Sequence, residues 1–164
     1  MYQETIEKCA AVAARIKSTS ANNPLSFWIG SLMAGAYVGL GIILIFTLGN
    51  LVDPVIRPLV MGATFGIALT LVIIAGAELF TGHTMFLTFG VKTGKLNSTQ
   101  AVGILAQSWT GNLLGSIVVA YLFYLGGGGQ ILPIDGSLVH KVALAKTTAP
   151  ALVLFAKGIL CNWL

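Results

Sequence analysis

The chain has 164 residues, 56% of them hydrophobic and 9% charged, with a formal net charge of +4 and a mean hydropathy of +0.90. A soluble domain carries roughly 25% charged residues, so this composition excludes one and points to an integral membrane protein. The charges are scattered, with no basic stripe or interleaved aromatics, which argues against a nucleic-acid surface. Cys9 and Cys161 are far apart and unpatterned, and imply neither a disulfide framework nor a metal site.

The first element, residues 1–20, reads as an amphipathic helix. Ile6, Cys9, Ala10, Ala13 and Ile16 recur at helical spacing, while Glu4, Glu7, Lys8, Arg15 and Lys17 take the other side. It is expected to lie on the membrane surface or to cap the protein; an ordinary solvated helix fits the same pattern. No apolar core with a small-residue cleavage site precedes the first span, which is expected to act as its own insertion signal.

Residues 21–164 read as the transmembrane domain. Leu25 to Leu48 is long enough to cross about 30 Å of hydrocarbon. Trp28 is an interfacial anchor near its start. Gly35 and Gly39 form a GxxxG pair that permits close helix packing. The same spacing recurs at Gly62 and Gly66 and at Gly111 and Gly115. A loop with Asp53, Pro54, Arg57 and Pro58 leads to a second span over about 59–89.

That second span holds IIAGAELFTG, Ile73 to Gly82. Glu78 is its one carboxylate, between two long uncharged runs, and an ionisable group at membrane depth costs roughly 2.5–3.5 kcal/mol on insertion scales. Gly76, Thr81, Gly82 and Thr84 weaken helix around it. The reading is a helix broken near 78–84, beside a conduction or binding site. A continuous helix whose glutamate pairs with another helix fits the same ten residues.

The third span runs over about 101–125. Gln107 and Asn112 need hydrogen-bond partners at that depth, and the freed backbone near Glu78 is one source. After Gly126 to Gly129, the residues His140, Lys141 and Lys146 lead into a fourth span over 147–164. Fifteen residues from Pro150 to Leu164 reach only about 22 Å, short of a crossing. The chain is therefore expected to be part of a longer one. Lysine and arginine bias is weak, with five on one side and three on the other, and favours a cytoplasmic N-terminus.

IIAGAELFTG resembles the first signature of the formate/nitrite transporter family, and GILCNWL, Gly158 to Leu164, resembles the start of its second. The spacing from Lys146 to Asn162 also suits that family, and the detail is most similar to its nitrite-channel branch. The resemblance implies an all-α, aquaporin-like bundle of six spans in two inverted halves. Helices two and five would be broken, and five protomers would each carry a pore. This chain would supply the first half and part of a fourth span, without the broken fifth helix and its central histidine.

The resemblance also implies roles by position. Leu69 and Phe80 would form an inner dry constriction and Phe65 an outer one. Thr81 would offer its hydroxyl and nearby amides to the permeating anion, Asn162 would do likewise, and Lys146 would be the cation of the outer vestibule. Glu78 would brace the break. Apolar packing is the competing reading for Phe65, Leu69 and Phe80, and a snorkelling helix end the one for Lys146. Lys157 reads as snorkelling or as a protomer contact.

The implied function is transport of nitrite, or a similar small monovalent anion such as formate or hydrosulfide, across the bacterial inner membrane by a homopentamer. A non-transporting membrane anchor or assembly subunit is the reading from another class. An aquaporin-like solute channel should carry paired Asn-Pro-Ala motifs, and none occurs. No catalytic grouping or phosphate loop is present, so no enzyme is expected. No cofactor is expected either: His83 and His140 fall on opposite sides of the expected topology and are not a haem pair.

Overall fold

The computed structural model describes residues 2–133 and 135–163, with side chains to 161. Seven helices follow one another in the described chain: α1 (Gln3–Asn22), α2 (Pro24–Leu51), α3 (Arg57–Ala75), α4 (Phe80–Lys92), α5 (Ser98–Leu125), α6 (Leu138–Thr147) and α7 (Ala151–Trp163). α2, α3 and α5 are each long and apolar enough to cross a membrane. Their flanks expose large apolar side chains such as Ile73, at 76%, and Tyr121, at 59%. A soluble protein would bury such a surface, whereas a bilayer solvates it. The chain is a multi-pass membrane protein.

By contact the chain falls into two compact units, Met1–Leu40 with Ile67–Ala120 and Gly41–Gly66 with Tyr121–Leu164. In the first unit α1 packs along α4. Its buried face is Ala10, Ala13 and Ile16, three of the positions expected from periodicity. Ala13 and Ile16 join Phe27, Leu87, Leu96, Ala101 and Ile104 in one apolar cluster. Lys17 Nζ donates to the Lys95 carbonyl at 3.4 Å, and Ser20 Oγ donates to Gln107 Oε1 at 2.8 Å. Gln107 therefore finds its partner on α1, not at the break in the second span.

α2 and α5 touch backbone to backbone in this unit. A Cβ at Gly35 would overlap the Asn112 carbonyl, and one at Gly115 would overlap the Leu32 carbonyl. Only glycine permits that approach, the use expected of a GxxxG pair. By contrast, Gly62 and Gly66 have open space where a Cβ would go.

In the second unit, Asn50 Oδ1 accepts from the Leu138 N–H at 3.1 Å and so caps the first turn of α6. α6 and α7 meet at a break before Pro150, bent by 115°. The residue before a proline disfavours helix, which places the interruption at Ala149. The expected fourth span, 147–164, coincides with α7 and the break before it, and Lys146 lies on α6 before the bend, in its last turn.

Candidate functional site

The second span is interrupted between Ala75 and Phe80, slightly earlier than the glycine and threonine pattern suggests. Gly76 takes φ 62, the left-handed region that favours glycine. Its N–H donates to the Ile73 carbonyl at 3.1 Å, and the Ala77 N–H donates to the Val72 carbonyl at 2.9 Å. This is a Schellman closure, in which two carbonyls at the end of α3 regain donors. Glu78 N–H then donates to the Gly30 carbonyl of α2 at 3.1 Å.

α4 has no local cap, for its N-cap residue is Leu79. Asn112 of α5 does that work from another helix. Its Oδ1 accepts from the Phe80 N–H at 2.9 Å. Its Nδ2 donates to the Ser31 carbonyl at 2.8 Å and to the Glu78 carbonyl at 3.0 Å. An asparagine amide has two N–H donors and one carbonyl, and all are engaged here. The expectation that the freed backbone near Glu78 would partner Asn112 is met atom by atom.

Two backbone donors in the first turn of α4 remain. The N–H groups of Thr81 and Gly82 have no acceptor in the described chain, whereas His83 N–H reaches the Leu79 carbonyl at 3.1 Å. Thr81 is exposed. Unpaired amides at a helix start carry its positive dipole end, equivalent to roughly half a charge. In an apolar span such a point attracts a small anion.

The Glu78 carboxylate makes no hydrogen bond with these amides. Its Oε2 lies 2.8 Å from His83 Nε2, and the His83 ring stacks on Phe27, centroids 5.8 Å apart. Glu78 is thus tied to α2 and α5 through its backbone and to α4 through His83. The histidine role was hidden in the sequence: a spacing of five does not align on an unbroken helix. The interruption between them brings the two side chains together.

Glu78, Phe80 and Thr81 therefore meet at one point. Phe80 is half-buried. Leu69 is 48% exposed on α3, with Phe65 one turn before it and half-buried. Lys146 is exposed. Asn162 falls in α7, and its side chain lies outside the described residues. His140 faces Ser137 Oγ at 3.3 Å.

An apolar span cut at mid-length, with its loose backbone groups tied to neighbouring helices, defines a class: membrane transport proteins built on discontinuous helices. Comparison with known proteins narrows this. Residues 3–164 match the model of the family described as formate/nitrite transporter, and the chain belongs to that family.

The chain is 73% identical over 164 residues to the nitrite transporter NirC of Escherichia coli (strain K12), covering all of this chain and 61% of that protein. It is 32% identical over 163 residues to the formate channel BtFdhC of Bacillus thuringiensis, covering 93% of this chain and 60% of the relative. A solved structure described as an FNT family ion channel superposes with a TM-score of 0.92 at 72% identity. That match covers 98% of this chain and 64% of the solved one. The fold is the family's, and the chain spans somewhat under two thirds of these relatives.

Proposed function

We propose that the complete protein moves nitrite, or a similarly small monovalent anion, across the bacterial inner membrane. The observation that carries this reading is the pair of unpaired amides, Thr81 and Gly82, at the start of a half-helix whose Phe80 N–H is held by Asn112. The nitrite transporter relative supports nitrite, and the formate channel relative makes formate the rival anion.

In this reading Thr81 and Asn162 line the anion pathway. Lys146 concentrates anions at the outer vestibule. Phe65, Leu69 and Phe80 form dry constrictions that exclude hydrated ions, while Glu78 supports the break. The protein works as a homopentamer in the lipid bilayer with a cytoplasmic N-terminus.

Reconstitution of the complete protein in liposomes tests the proposal. Nitrite flux is expected above that of empty vesicles, with formate as comparator. A folded assembly that passes neither anion would end the transport reading and favour a membrane anchor. Lys146→Ala is expected to lower uptake several-fold at low nitrite and low salt, with the oligomer intact on size exclusion. The deficit should shrink as salt screens the charge. Unchanged uptake across the concentration series would remove Lys146 from the pathway.

A further inference from the structure

His83 has no part in the pathway above, yet among the described residues no other ionisable side chain is as buried, at 4% exposure. Its Nδ1 is enclosed without a partner. Its whole polar engagement is the bond from Nε2 to Glu78 Oε2. With Leu79 as N-cap, Glu78 holds the position before the cap and His83 the fourth of the helix. Apolar residues at those two positions often pack together and fix the angle at which a chain enters its helix. Here a hydrogen bond bridges them.

The surroundings are shaped for that bridge. Phe27 and Gly30 lie one turn apart on α2. Phe27 stacks on the imidazole. A Cβ at Gly30 would come within 3.0 Å of Glu78 Cγ, so glycine there leaves the carboxylate its room. One face of α2 thus holds both ends of the bridge. Thr81 and Gly82, the residues with unpaired amides, lie in the segment it closes.

The geometry points to His83 as a positioning residue: through Glu78 it fixes the angle at which the Thr81 and Gly82 amides face the anion. This rests on the anion-pathway reading. The bridge needs a donor at the reach of Nε2. A glutamine places its Nε2 the same number of bonds from Cβ; an asparagine stops one bond short.

The test uses the complete protein in liposomes, nitrite as probe, and hydrogen–deuterium exchange of residues 78–84. His83→Gln is expected to keep flux within about twofold and exchange at the parent rate. His83→Asn is expected to lose about tenfold of flux at sub-saturating nitrite, as for loss of a bond to a charged group. Its exchange at 78–84 should be faster, with the assembly intact. Equal impairment of the glutamine and asparagine variants overturns the assignment. Parent-rate exchange in His83→Asn also overturns it, as does parent flux despite faster exchange. If His83→Asn does not assemble, Glu78→Asp, whose carboxylate stops one bond short of Nε2, takes its place under the same criteria. A parent protein without flux sinks the transport reading alone, and the exchange measurement still decides the bridge.

Discussion

Among the described helices, α4 and α6 start without a local side-chain cap, and each is capped by an asparagine from another helix. In the first unit Asn112 holds the start of α4; in the second, Asn50 holds the start of α6. Asn112 uses its carbonyl once and its amide nitrogen twice, joining α2, the break and α4. Asn50 uses its carbonyl alone, and its Nδ2 is buried without a partner. The same residue type is thus a three-way clamp in one place and a single tether in the other. The clamp stands where a membrane helix is interrupted and loose backbone groups have no water to turn to. At the second interruption, near Pro150, the hydrogen bonds are local: Thr148 N–H to Leu144, and Val153 and Leu154 N–H to Pro150.

The contrast can be broken most directly at the clamp. Asn112→Leu leaves the Phe80 N–H and the Ser31 and Glu78 carbonyls without their side-chain partner. At about 1 kcal/mol or more for each such group, roughly 3 kcal/mol of stability should go. The expected result is a large fall in assembled yield and in the thermal midpoint of the complete protein; a parent-like midpoint would mean the break holds itself.

The next effect concerns what brings Asn112 to its place. Gly115→Ala drives a Cβ into the Leu32 carbonyl, and overpacking of this kind costs about 1–3 kcal/mol. Gly62→Ala meets open space and should stay within about 0.5 kcal/mol. Equal midpoints for the two variants would dissolve the distinction between a glycine set against backbone and one whose Cβ position faces open space.

The smallest effect is expected at the tether. Asn50→Leu removes one hydrogen bond and also one stranded donor, so the net change should be below about 1 kcal/mol. A loss as large as that of Asn112→Leu would show that the two caps are equivalent.

Much of the clamp was readable in the residues. Glu78 between Gly76 and Gly82 announces an interrupted span, and Asn112 deep in a span demands partners. Periodicity also located the face of α1 that becomes buried. Other features depend on distance in space. Gln107 and Asn112 look alike in sequence, and nothing local says that one turns to Ser20 on α1 and the other to the break. His83 was legible only as an isolated histidine, because its partner aligns with it only after the helix is cut. The three GxxxG pairs are indistinguishable by spacing, yet Gly35 and Gly115 are filled against backbone while Gly62 and Gly66 are not. Pro150 marks a stop, but the bend it permits depends on the helices around it.

One consequence of Asn112 concerns how the helices find each other. Shifting α5 by a turn would bring Ser108 or Ser116 to that spot, and a hydroxyl has a single hydrogen to offer and a shorter reach. Neither serine can replace a group that donates twice and accepts once. The asparagine therefore works as a key cut for one lock: α5 can seat against α2 in only one alignment without stranding amides in oil. The cut helix, a weakness when taken alone, supplies the proofreading that tells neighbouring helices when they have docked correctly.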